Sequence, residues 1–85
     1  MNENEDEKYT YKVKIGCRGN VDVYSKLMSY QDALECVKSA SADLFEERVI
    51  FIPAKVDYIR LNPSHVTYIQ IVKYDNRIKT HKEGH

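Results

Sequence analysis

The chain has 85 residues, which is enough for one domain and too short for two. Its 13 lysines and arginines balance 13 aspartates and glutamates, so it lacks the positive excess typical of proteins that bind duplex nucleic acid. No stretch approaches the roughly 20 apolar residues that cross a bilayer, and the acidic start is the opposite of a signal peptide's basic start. We therefore expect a cytoplasmic protein that binds neither membranes nor duplex nucleic acid.

Charge divides the chain into a folded unit and two tails. Residues 1–7 carry four acidic groups and no basic one, and residues 76–85 are mostly polar. We expect a disordered acidic tail over residues 1–7, a single α+β domain over residues 8–75 and a flexible polar tail over residues 76–85. Cys17 and Cys36 are the only cysteines, and in a reducing cytosol they are expected to be free thiols.

The first predicted elements are two strands joined by a turn. Residues 9–15 alternate in the manner of a half-buried strand, with tyrosine, valine and isoleucine on one face and, on the other, Thr10, Lys12 and Lys14. Residues 16–20 predict a turn, because glycine and asparagine tolerate positive φ. Residues 21–28 alternate again and predict the second strand of a hairpin, with one side formed by Val21, Val23 and Leu27.

A helix is predicted next, because the apolar period changes. Ser29 is placed to accept a hydrogen bond from the backbone N–H of Asp32 as an N-cap, and the Asp32 side chain is placed to reach back. Apolar residues then recur at spacings of four, three and four, which predicts an amphipathic helix against a sheet. Its apolar face comprises Ala33, Val37, Ala40 and Leu44, flanked by Leu34 and Phe45.

Three more strands are predicted after the helix. Residues 48–53 are apolar and β-branched in the middle, which predicts a strand buried on both faces that ends at Pro53. Residues 56–61 predict a fourth strand, and residues 66–74 a long fifth one. Between them, Asn62-Pro63-Ser64-His65 has the composition of a turn.

The expected fold class is therefore α+β, in the order β-β-α-β-β-β, with a mostly antiparallel sheet and one amphipathic helix packed on one face. The closing pattern of a strand, an Asn-Pro-Ser-His turn and a strand resembles the last hairpin of small SH3-like and Sm-like barrels. That resemblance covers about a quarter of the chain and implies an alternative fold, a small barrel with a helical insertion.

Aromatic and polar residues on the last two strands form the candidate binding surface. Tyr58 and Arg60 share one face of the fourth strand, and Tyr68, Gln70 and Tyr74 share alternating positions of the fifth. If these faces coincide, they make a surface that can stack on bases or pack against a protein. The alternative is that the tyrosines belong to the core. The remaining candidate contacts are Arg18, Lys26 and His65.

No residue pattern indicates catalysis, a cofactor or a metal. The histidines and cysteines are not spaced as metal ligands, and Cys17 or Cys36 with His65 and Asp57 form no set that the sequence can place together.

We expect a non-enzymatic protein-interaction module, acting as an adaptor, regulator or inhibitor. Small proteins of this appearance include phage-encoded inhibitors of host or defence proteins. Self-association is also expected, because it adds burial to a small core. One alternative is an oligomer that sequesters a nucleotide or another small ligand at a subunit boundary. A second is a protein that binds single-stranded nucleic acid through a tyrosine- and arginine-bearing sheet face.

Overall fold

The computed structural model describes residues 9–76, so the expected acidic tail and all but Asn76 of the expected polar tail lie outside it. Within these residues the order is β-β-α-β-β-β, as predicted. The elements are β1 (Tyr9–Cys17), β2 (Val21–Tyr24), α1 (Tyr30–Phe45), β3 (Ile50–Pro53), β4 (Tyr58–Leu61) and β5 (Val66–Asp75), with a 3₁₀ turn at Pro63–His65 before β5.

The five strands form two antiparallel sheets, which confirms the α+β class. One sheet has the order β2-β1-β5, and the other is the hairpin β3-β4. β5 pairs with β1 along nearly its whole length, from Tyr9 opposite Asp75 to Cys17 opposite Val66. The predicted turn separates β4 from β5, but these two strands do not pair with each other.

The core lies between the two sheets and α1. Val13 and Ile15 of β1 and Ile50 and Ile52 of β3 are the largest fully buried side chains. Two small residues of α1, Ala33 and Ala40, are buried against them. Val37 and Leu44 pack at the edge of this cluster, so the predicted apolar face of the helix is confirmed.

Local hydrogen bonds account for where α1 begins. Ser29 is the N-cap, and its side chain accepts from the Asp32 backbone N–H at 3.1 Å, as predicted. Phe45 was expected to flank the apolar face, but it is the last helical residue and is 85% exposed.

The β1–β2 turn is shorter than predicted. β1 continues through Gly16 and Cys17, and the turn consists of residues 18–20. Gly19 and Asn20 have positive φ values of 81° and 62°, so these two residues provide the backbone conformations that the turn requires. Gly16, expected in the turn, is a buried strand residue instead.

β2 is also shorter than the predicted strand over residues 21–28. At Ser25 a side chain replaces a backbone group as the hydrogen-bond partner of β1. The Ser25 hydroxyl accepts from the Val13 N–H and donates to the Lys26 carbonyl, both at 2.8 Å. The break shifts the alternation. Met28 is therefore buried and Leu27 is exposed. Val21 is exposed as well, so of the side predicted to comprise Val21, Val23 and Leu27 only Val23 is half-buried.

The prediction that the third strand is buried on both faces is wrong. Ile50 and Ile52 point into the core, whereas Phe51 between them is 53% exposed and Val49 before them is also exposed. The hairpin β3-β4 thus covers the core with one face and leaves the other open to solvent.

Candidate functional site: a tyrosine and lysine face

The outer face of the sheet β2-β1-β5 carries tyrosines and lysines in alternation. Val13 and Ile15 of β1 point inward, so the alternating residues Lys12 and Lys14 point outward. The strand register brings three tyrosines beside these lysines. We call this surface the Tyr–Lys face; it consists of Lys12, Lys14, Tyr24, Tyr68 and Tyr74.

Each lysine of the Tyr–Lys face lies between two tyrosine rings. The Lys12 ammonium is 5.8 Å from the centroid of the Tyr24 ring and 5.7 Å from that of Tyr74. The Lys14 ammonium is 5.9 Å from Tyr24 and 5.8 Å from Tyr68. These distances are within the range of cation–π attraction. The five side chains therefore form one continuous row from Tyr74 to Tyr68.

The Tyr68 ring rests on the backbone of Gly16, its cross-strand neighbour. A Cβ atom added to Gly16 would meet Tyr68 Cε2 and would lie 2.5 Å from each of the adjacent ring atoms, Cδ2 and Cζ. A point that is close to all three atoms lies against the face of the ring. One ring face therefore covers the glycine, and Tyr68 as a whole remains 41% exposed.

Asp22 fixes the end of the row. The Tyr68 hydroxyl donates to the Asp22 carboxylate at 3.0 Å, and the Lys14 ammonium lies 3.8 Å from the same carboxylate. Interaction with the Tyr68 hydroxyl is the main cause that raises the pKa of Lys14 above its ordinary value, followed by the neighbouring Tyr24. Lys14 therefore stays protonated, and Tyr68 is held by contacts both below the ring and at its hydroxyl.

The three tyrosines of the Tyr–Lys face are partly exposed. Their exposed fractions lie between 38% and 41%. Tyr68 and Tyr74 are six positions apart on β5, which corresponds to roughly 20 Å along the strand. The face is thus long enough to contact several units of an extended ligand.

Tyr58 and Arg60 are exposed, but on the other sheet. β4 pairs with β3, so Arg60 lies opposite Phe51 and Tyr58 opposite Pro53. The two candidates therefore do not share a sheet with Tyr68, Gln70 and Tyr74. We call the group Phe51, Tyr58 and Arg60 the hairpin face.

The other candidates are distributed around the Tyr–Lys face. Gln70 pairs with Lys14 across the sheet and is exposed. The Arg18 N–H donates to the His65 carbonyl at 2.9 Å, which joins the β1–β2 turn to the 3₁₀ turn. Lys26 follows β2, and its N–H donates to the Pro53 carbonyl at 2.9 Å.

The alternation of β1 predicts that Lys12 and Lys14 lie on an outer face, but neither they nor Tyr24 were among the predicted binding residues. Their clustering depends on how β1 and β2 are paired, which the sequence alone does not give.

Both cysteines in the described region are free thiols, as predicted, and both are partly buried. Burial raises the pKa of the Cys36 thiol. Residues 9–76 contain no group of three or more histidine, cysteine, aspartate or glutamate side chains arranged to hold a metal ion. His81 and His85 lie outside this region.

Comparison of the chain with models of known protein families, with curated proteins and with solved structures found no match. No helix within residues 9–76 combines the length and apolar character needed to cross a membrane.

Proposed function

We propose that this protein binds single-stranded nucleic acid on the Tyr–Lys face. The observation that carries the proposal is the Tyr68 ring, which lies flat on Gly16 beside the Lys14 ammonium. Single-stranded nucleic acids bind to surfaces where bases stack on aromatic rings and cations meet the phosphates. A partly exposed ring supported from below meets the first need, and the lysine beside it meets the second.

The dimensions of the face agree with this ligand. Sheet surfaces that bind RNA typically stack two or three bases on their aromatic side chains. The Tyr–Lys face offers three rings, one from β2 and two from β5, with lysines between them. A strand that crosses it from β5 to β2 would contact Tyr68 or Tyr74 first and Tyr24 last.

The balanced net charge does not oppose the proposal, because the charges are unevenly distributed. α1 carries three acidic residues and one basic residue, so part of the negative charge lies on the helix; these residues are Asp32, Glu35, Asp43 and Lys38. On the Tyr–Lys face two lysines meet one nearby acid, Asp22, which is already engaged. Such a local excess attracts a polyanion even when the whole chain is neutral.

The test is the affinity for a fluorescent oligothymidylate at about 50 mM salt, measured by anisotropy. We expect the wild-type protein to bind it and to bind the matching duplex more weakly. Tyr68→Ala should weaken binding roughly 5- to 150-fold, since stacking contributes about 1–3 kcal/mol per base. Tyr58→Ala, which removes an exposed tyrosine from the other sheet, is the matched control and should leave the affinity unchanged.

Two results would contradict the proposal. The first is no binding of the oligothymidylate by a folded wild-type protein. The second is an equal loss of affinity in Tyr58→Ala and Tyr68→Ala, because the contact would then not depend on the Tyr–Lys face.

A second candidate function, association of two copies of the chain, is favoured by the hairpin face. Phe51 and Tyr58 are 53% and 66% exposed there, and aromatic residues with arginine are typical of interface centres. Arg60 also lines a recess of about 450 Å³ with Glu47 and Val49. We propose a two-fold dimer, in which each Arg60 faces the partner copy's Glu47.

Sedimentation at increasing concentration tests the dimer. We expect the mass to rise from 10.0 kDa to twice that value. Arg60→Glu should weaken association several-fold, because acids would then face each other, and adding Glu47→Arg should restore it. Tyr74→Ser on the other sheet is the control and should leave the mass unchanged. A mass that stays at 10.0 kDa at every concentration would disprove the dimer.

A further inference from the structure

A basic groove adjoins the Tyr–Lys face. It has a volume of about 460 Å³ and lies between the segment that follows β2 and the loop that follows β3. Its lining contains three lysines and no acidic residue; the lining residues are Lys12, Tyr24, Ser25, Lys26, Leu27, Ala54 and Lys55. The charged residues that line the groove are therefore all positive.

Backbone contacts hold both walls of the groove. The Lys26 N–H donates to the Pro53 carbonyl at 2.9 Å, which ties one wall to the end of β3. The Ala54 N–H donates to the Asp57 carbonyl at 3.0 Å, and this bond closes the tight loop that carries Lys55. Lys26 and Lys55 are exposed, so their ammonium groups are accessible to a ligand.

Two residues belong to both the groove and the Tyr–Lys face. Lys12 and Tyr24 line the groove and also stand in the middle of the tyrosine and lysine row. An extended ligand on the face therefore reaches the groove without crossing another part of the surface. The groove adds Lys26 and Lys55 to the positive charge that Lys12 and Lys14 provide.

We propose that the basic groove holds the backbone phosphates of the same single strand where it leaves the Tyr–Lys face, with Lys26 and Lys55 as the contacts. This inference rests on the proposed function, since the bases would stack on the face while the groove supplies charge alone. Tyr24 marks the change from stacking to phosphate contact. Lys55 was not among the binding residues predicted from the sequence, because its neighbours in the chain do not distinguish it from other surface lysines.

The test measures how the affinity for oligothymidylate depends on salt. Each phosphate contact on a single strand contributes about 0.7 to the slope of log affinity against log salt. Lys26→Gln and Lys55→Gln should each lower the magnitude of the slope by about 0.7, and together by about 1.4. Lys38→Gln, on the exposed side of α1, is the matched control and should leave the slope unchanged.

The length of the oligonucleotide provides a second measurement. Extending the oligothymidylate from about three nucleotides, which the face can stack, to about six should raise the affinity of the wild-type protein. The double lysine variant should lose that increase and keep its affinity for the short form.

The outcomes separate the two proposals. If the wild-type protein binds no oligothymidylate, the proposed function fails. If it binds but the lysine variants keep the wild-type slope and length dependence, only the groove inference fails. Binding of thymidine monophosphate that depends on Lys55, without binding of longer strands, would overturn the assignment of the groove to a strand.

Discussion

Replacing Gly16 with alanine is expected to lower the free energy of unfolding by roughly 1 kcal/mol. The new methyl group would occupy the place of the Tyr68 ring, and inserting a methyl where a side chain already packs costs about 1–3 kcal/mol. We expect the lower end of that range, because Tyr68 is at the surface and its ring can turn aside. Gly16→Ala should also reduce oligothymidylate affinity as much as Tyr68→Ala does, since both remove the supported ring.

The sign of this effect should reverse when Tyr68 is absent. In the Tyr68→Ala background the three atoms nearest to the added methyl group are gone, and Gly16 is a strand residue without positive φ, so alanine fits its backbone. Alanine in a strand interior is more stable than glycine by roughly 0.5–1 kcal/mol, so Gly16→Ala should stabilise this variant. Urea unfolding of the wild type, of Gly16→Ala, of Tyr68→Ala and of the double variant measures the coupling free energy between the two positions. Equal effects of Gly16→Ala in both backgrounds would show that the ring does not rest on the glycine.

Truncation of Ile52 in the sheet β3-β4 is expected to be strongly destabilising. Ile52 is fully buried, and isoleucine-to-alanine changes at such positions cost about 2–5 kcal/mol. The total stability of a domain of this size is on the order of 5 kcal/mol, so Ile52→Ala should be close to unfolded at room temperature. Ile52→Val, expected to cost about 0.5–1.5 kcal/mol, keeps the measurement possible if the alanine variant does not fold.

Phe51 is the matched control, since it is the neighbouring residue on the opposite face. About half of its side chain is exposed, so Phe51→Ala should cost roughly 1 kcal/mol, about half of what burial of a large apolar side chain contributes. Both variants should be compared by urea unfolding at the lowest usable concentration, where self-association does not contribute. A larger loss in Phe51→Ala than in Ile52→Ala would contradict the one-sided burial of β3.

Part of the candidate site could be predicted because neighbouring residues in the chain determine it. The alternation around Val13 and Ile15 is enough to place Lys12 and Lys14 on the opposite face of a strand. Tyr68, Gln70 and Tyr74 were likewise placed together by spacing alone. Tyr58 and Arg60 would join that surface only if the faces of the fourth and fifth strands coincided, and here β4 pairs with β3 while β5 pairs with β1.

By itself, the sequence determined the order of elements, the Ser29 cap and the apolar side of α1, because these depend on interactions within a few positions along the chain. Only the tertiary structure decided which strands meet, which face of β3 is covered and why Gly16 is a glycine. Tyr68 lies more than fifty positions from Gly16, so their contact depends on the global pairing of β1 with β5. The same pairing brings Tyr74 to Lys12, and the pairing of β1 with β2 brings Tyr24 there, so the Tyr–Lys face exists only once both pairings have formed.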